Sequence, residues 1–205
     1  MPKKCVIISG GEFCPVEPPA AGTFVIACDR GYEYALRCGV RPHLLISDFD
    51  SYAGPVAPDV PVERHRAEKD DTDTMLAVRY ALEQGFEEVE LLCALGGRLD
   101  HALANIQSAV FAAVRGVQAV IKDDKTELRV MTGGRLLLPR REGWALSLFS
   151  LGDECRGLSI RGVKYPLDNT RLTNAFPLGV SNEWTEDEAE IRLESGVLLV
   201  VMAKC

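Results

Sequence analysis

Short, almost wholly apolar runs alternate with amphipathic segments through the first 125 residues, and there the alternation stops. The runs at 5–9, 24–28, 43–47 and 89–95 are too continuous for strands with one wet face, so both faces must be covered. Residues 60–64 and 118–122 read as further short strands. Between them lie three helical patterns, each followed by a glycine that suits a helix end: 32–38 before Gly39, 72–84 before Gly85, and 100–115 before Gly116. In the second, Met75, Val78 and Leu82 share one face. In the third, Leu103, Ile106, Val110 and Val114 form the expected buried stripe. Strands alternating with helices predict a doubly wound α/β domain with a mostly parallel sheet.

The remainder has a different character. Residues 128–131, 135–138, 145–149, 158–160, 190–193 and 197–202 read as short strands punctuated by Gly, Pro, Asp and Asn, with no convincing helix. Glu190-Ile-Arg-Leu193 alternates polar and apolar, the pattern of a half-exposed antiparallel strand. This predicts an all-β, sandwich-like second domain. The expected division is 1–125 and 126–205.

The chain has 205 residues, 47% of them hydrophobic, which suffices for a substantial core. Its formal net charge of -7, with no Lys/Arg run, argues against a nucleic-acid partner and against an anionic membrane surface. No apolar run reaches the roughly 18 residues of a membrane span. The seven cysteines are odd in number and form no CxxC, so a reduced, cytoplasmic protein without a zinc site is expected.

Ligands of open α/β sheets bind at the carboxyl ends of the strands, and the acidic residues fall there. Asp29 follows the second strand, Asp48 and Asp50 the third. Asp70, Asp71 and Asp73 precede a helix, and Asp100 follows Gly96-Gly97. Like charges so pooled repel and raise one another's pKa. A hard divalent cation compensates, and magnesium takes one or two carboxylates plus substrate phosphates. Taken singly, these motifs have plainer explanations. Asp71, Thr72 and Asp73 suit a helix cap, Ser47-Asp-Phe-Asp-Ser51 suits a turn, and Gly96-Gly97 suits tight packing or phosphate approach to helix amides. Arg98 is a surface charge or a phosphate clamp. His43 and His65 lack a partner pattern and read as structural, while His101 is as readily a helix-start residue as a ligand. There is no GxxxxGK[ST], no GxGxxG after the first strand, and no GxSxG.

Taken together, Ala27-Cys-Asp-Arg-Gly31, Ser47-Asp-Phe-Asp-Ser51, Lys69-Asp-Asp-Thr-Asp73, Leu95-Gly-Gly-Arg-Leu-Asp-His101 with Asn105, and Ser181-Asn182-Glu183 resemble the thiamine pyrophosphokinases, especially the bacterial form. Order and spacing fit along nearly the whole chain. The resemblance implies that ATP, as co-substrate, passes its β,γ-diphosphate in one step to the thiamine hydroxyl, giving thiamine diphosphate and AMP. It implies that 1–125 binds ATP and magnesium and that 126–205 binds thiamine. Asp48, Asp71, Asp73 and Asp100 would hold Mg2+ and the triphosphate, with Asp71 or Asp100 taking the hydroxyl proton. Asp29, Thr72, Gly96, Gly97 and Asn105 belong to the same binding segments. Lys69 and Arg98 would lie near phosphate oxygens, and Ser181 and Asn182 would contact thiamine. The family also implies a homodimer with active sites between subunits.

Ser47 stands where the family motif usually has Gly, and Arg30 is a second departure. Asp50 belongs either to its turn or to the site. Trp184 either stacks on thiamine or packs on a β surface. Two other functions fit the acids: another magnesium-dependent phosphotransferase or phosphohydrolase, and a non-catalytic nucleotide- or thiamine-binding module.

Overall fold

The computed structural model describes residues 3–65 and 71–205. The chain divides into two compact units, Met1–Asp124 and Lys125–Cys205.

In the first unit six strands run in parallel: β1 (Lys4–Ile8), β2 (Phe24–Cys28), β3 (Leu44–Ser47), β4 (Val62–Arg64), β5 (Glu88–Leu92) and β6 (Gln118–Lys122). The chain lays β2, β3 and β4 outward on one side of β1, then returns to place β5 and β6 on the other. Among the described residues, three helices lie between them: α1 (Gly31–Arg37), α2 (Asp73–Glu83) and α3 (Leu99–Ala113). They cover both faces. Val6, Ile8 and Val25 pack with Tyr34 and Ala35 of α1. On the opposite face, Ser9 and Cys28 bond to Thr74 and Asp73 of α2. The doubly wound reading therefore holds, and the continuous apolar runs follow from it.

The apolar stripe expected on α3 is not its buried face. Leu103 and Val114 are exposed and Ile106 and Val110 only half-buried. Asn105, Ser108, Ala109, Ala112 and Ala113 are buried instead. Small side chains let the helix approach its neighbours closely, and the larger ones are pushed to its flanks. On α2 the expectation holds in part: Val78 is buried, with Thr74, Ala77 and Ala81, while Met75 and Leu82 are half-buried.

The second unit is a sandwich of two antiparallel four-stranded sheets. One has the order β12-β9-β14-β7, with β7 (Thr126–Met131), β9 (Trp144–Ser150), β12 (Gly179–Asn182) and β14 (Leu198–Lys204). The other has the order β11-β10-β13-β8, with β8 (Gly134–Pro139), β10 (Glu154–Arg161), β11 (Leu167–Thr173) and β13 (Glu188–Leu193). Leu146, Leu148, Val200 and Met202 from the first sheet meet Leu158, Ile160, Ile191 and Leu172 from the second in one core. Trp184 lies inside that core and donates its ring N–H to the Leu138 carbonyl at 3.1 Å. Its ring is packed in the core, as the packing alternative expects. Strands β11 and β12 carry no apolar signature because each is an edge strand, paired on one side within its sheet.

Candidate active site

The return of the chain from β4 to β5 makes a switch point at the carboxyl ends of β1 and β5, where an open α/β sheet forms its ligand crevice. A cleft of about 250 Å³ lies there. Ser9, Gly10 and Gly11 come from the end of β1, Asp29 from β2, Asp48 and Asp50 from β3, and Ala94 and Gly96 from β5. Asp71, Thr72 and Asp73 enter at the start of α2, with His101 and Asn105 from α3.

Asp29, Asp48 and Asp50 each bring a carboxylate oxygen within 4.8 Å of the others. Asp29 is buried and left-handed at φ 49°, a conformation Asp tolerates better than most residues. Its Oδ1 accepts the Ser47 hydroxyl at 2.8 Å, and Ser47 Oγ accepts the Phe49 amide at 2.8 Å. The Asp50 amide donates to Asp48 Oδ1 at 3.1 Å, closing a tight turn with Phe49 at φ 64°. Loss of hydration pushes the Asp50 pKa up, and the charges of Asp48 and Asp29 push it further. A divalent cation would offset that repulsion, and the all-oxygen donor set suits a hard ion such as magnesium.

The remaining candidates are distributed as follows. Thr72 caps α2, its hydroxyl accepting the Met75 amide at 3.2 Å. Asp71 lines the cleft and pairs with Arg79, nearly two turns into the helix. Asn105 is buried and donates to the Ala94 carbonyl at 2.8 Å, tying α3 to the end of β5. Gly96 and Gly97 adopt φ 74° and 62°. A side chain at Gly96 would also collide with Glu12, so this turn requires glycine. Arg98 and Asp100 do not line the cleft; they form an exposed two-point ion pair, with Nε and Nη2 at 3.1 and 2.6 Å from the carboxylate. The Arg98 guanidinium holds the Asp100 carboxyl below its usual range. Lys69 and Asp70 lie outside the described residues. The exposed Arg30 precedes α1.

In the second unit, Ser181 is exposed and left-handed at φ 58°, its amide held by Ser147 Oγ at 2.9 Å. Asn182 is buried. Its oxygen accepts the Tyr165 and Glu183 amides and its nitrogen donates to the Tyr165 carbonyl, all at 2.8–3.1 Å. That amide braces the turn before Trp184, a role its position in a strand did not advertise. Ser47 likewise escaped the sequence reading as a functional residue: only the fold reveals that its hydroxyl joins two acidic segments.

Fold and cleft together define a class of protein in which an α/β unit with an acidic crevice is followed in the chain by a β-sandwich. Residues 20–121 match the family described as "Thiamin pyrophosphokinase, catalytic domain" and residues 135–198 "Thiamin pyrophosphokinase, vitamin B1 binding domain". The chain is 28% identical to thiamine pyrophosphokinase of Bacillus subtilis over 187 residues, covering 87% of this chain and 86% of that one. The crystal structure of the Bacillus subtilis enzyme superposes with a TM-score of 0.89 at 26% identity, over 99% of this chain and 100% of that one. That of Geobacillus thermodenitrificans thiamin pyrophosphokinase gives 0.83 at 27% identity, over 98% and 97%. The chain belongs to the thiamin pyrophosphokinase family.

Proposed function

We propose that the protein is an ATP-dependent thiamine diphosphokinase that moves the β,γ-diphosphate of ATP to the thiamine hydroxyl and releases AMP. The observation that carries this is the convergence of Asp29, Asp48 and Asp50 at the switch point of a transferase-family fold.

Asp29, Asp48 and Asp50 would hold Mg2+, with Asp71 and Asp73 on the adjoining wall of the cleft. The bound ion would neutralise charge on the transferred group and align it. The backbone of Gly10, Gly11 and Gly96 leaves room for phosphate oxygens against the cleft wall. Arg98, at the start of α3, and Lys69 are assigned to the triphosphate, and Asp100 to the magnesium that would bridge to it. Of the two aspartates proposed to take the hydroxyl proton, Asp71 is the one that lines the cleft. Its pairing with Arg79 fixes the carboxylate's direction. Thiamine is assigned to the second unit, with Ser181 presenting its hydroxyl and Asn182 shaping the turn beneath it.

A homodimer with shared active sites is part of the proposal. Supporting it, Leu99 and Leu103 on α3 are 73% and 53% exposed, an apolar pair one turn apart. A cytoplasmic location is part of the proposal; several of the seven cysteines are buried as small apolar residues. No helix among the described residues is long and apolar enough to cross a membrane.

The test is incubation of purified protein with ATP and Mg2+, with and without thiamine. AMP formed only when thiamine is present supports the assignment. ADP release, or AMP release indifferent to thiamine, contradicts it.

A further inference from the structure

Cys14 and Cys93 are 79 positions apart in sequence, yet their sulfurs lie 3.4 Å apart inside the first unit. Cys93 follows β5 directly and is left-handed at φ 51°. Cys14 belongs to the loop between β1 and β2. Its amide donates to Cys93 Sγ, and the Cys93 thiol reaches the Cys14 carbonyl, both at 3.5 Å. The two segments are laced further along. The Gly11 amide donates to the Cys93 carbonyl at 2.9 Å, and the Glu12 amide to that of Leu95 at 3.1 Å. A Cβ at Gly11 would stand 2.6 Å from the Cys93 oxygen, so the approach has no slack. Gly10, Gly11, Ala94 and Gly96, from these same segments, line the acidic cleft.

We propose that Cys14 and Cys93 form a reversible oxidation site, at which a peroxide converts the pair to an intramolecular disulfide that clamps two walls of the acidic cleft and lowers turnover. Cys14 is the attacking sulfur. The hydrogen bond with the Cys93 thiol pulls Cys14 down to about 7 against the opposing push of burial. The same bond, together with burial, pushes Cys93 up. The Cys14 thiolate attacks a peroxide oxygen and becomes a sulfenic acid, releasing hydroxide. The Cys93 sulfur then displaces hydroxide from the Cys14 sulfur as the S–S bond forms. The thiol protons end on the two oxygens: two thiols are oxidised and hydrogen peroxide is reduced to two waters.

Access and partner choice also favour this pair. Between Gly10 and Thr23 only Cys14 and Val16 are buried, so Cys14 lies in a loop whose other residues reach solvent. A disulfide needs its sulfurs at about 2.05 Å, and side-chain rotation closes most of the gap. The rival is Cys38, whose sulfur accepts the Val16 amide at 3.3 Å. Burial pushes Cys5 up to about 12 and disqualifies it.

The experiment treats the intact protein with hydrogen peroxide, blocks free thiols with N-ethylmaleimide, and maps the digest by mass spectrometry. The expected result is a Cys14–Cys93 cross-linked peptide with two hydrogens lost, reversed by dithiothreitol. Turnover should fall several-fold and return on reduction. Cys14→Ser and Cys93→Ser should keep untreated activity and lose peroxide sensitivity. The proposal is overturned if both thiols remain alkylatable, if Cys14 links to Cys38 or stops at a sulfinic acid, or if the cross-link forms with turnover unchanged. The wild-type map needs no variant to fold. It reads the oxidation even if the acidic cleft serves another reaction.

Discussion

The Ser47 hydroxyl donates to Asp29 Oδ1 and accepts the Phe49 amide, both at 2.8 Å, so one buried oxygen joins the end of β2 to the turn that carries Asp48 and Asp50. A glycine at this position cannot do this, whatever freedom it gives the turn. Ser47→Ala and Ser47→Gly should each lower stability by about 1–3 kcal/mol, because a half-buried amide and a buried carboxylate lose their partner. Both should raise the Mg2+ concentration needed for half-maximal activity. Thermal unfolding and a Mg2+ titration check this. An unchanged Mg2+ requirement in both variants would mean that the bond only supports the fold.

The acidic cluster is strained by its own charge when no cation is bound. Asp48→Asn and Asp50→Asn should therefore raise the melting temperature of the cation-free protein while cutting turnover by orders of magnitude. Mn2+ binding followed by electron paramagnetic resonance should weaken in parallel. A cation-free protein destabilised by both substitutions would show that these carboxylates are held by ordinary structural bonds.

Asp50 also gives a pH signature. Its pKa is raised in the folded protein. The folded state thus binds the proton more tightly than the unfolded state, and its contribution to stability is lost as pH rises through the raised value. Wild type minus Asp50→Asn should show that slope without cation, and saturating Mg2+ should abolish it. The check is thermal unfolding across pH with and without Mg2+.

Glu90 has the opposite sign. Burial pushes its pKa up, but hydrogen bonds and charge from Lys122 and Lys4 outweigh burial and hold it below 4.5. Its stabilising effect is complete above about that pH and is lost as pH falls through the depressed value. Glu90→Gln should cost roughly 1–3 kcal/mol at neutral pH, since both lysines remain partly hydrated. The difference from wild type should vanish in acid. Unfolding at neutral and acid pH measures both.

Trp184 separates packing from recognition. Trp184→Ala should destabilise the second unit by roughly 3–5 kcal/mol. Trp184→Phe should lower the melting temperature and leave the KM for thiamine unchanged. A KM for thiamine raised several-fold by the Phe variant would show that the ring meets the substrate.

What could be read from the sequence follows burial. Strands such as β1 and β2, covered on both faces, announce themselves as apolar runs. The polar edge strands β11 and β12 do not, because no alternation is required of a strand with so much exposed surface. Helix boundaries were legible from their glycines, but the buried face of α3 was not. Periodicity weights Leu103 and Val114, whereas contact selects Ala109, Ala112 and Asn105. In the cleft, the motif around Asp48 stood out locally. The pooling of Asp29 with Asp48 and Asp50 was legible too, as acids following successive strands. The Ser47 bridge and the bracing by Asn182 were not, because they depend on contacts between distant segments.

The proposed reaction moves an intact diphosphate from ATP to thiamine. Parallel reactions with ATP labelled at the β- or the γ-phosphate, followed by separation of products, test it most directly. Either label should appear in thiamine diphosphate in equal yield, with one AMP formed per product. Label from the γ-phosphate alone reaching thiamine, with ADP as co-product, would contradict it.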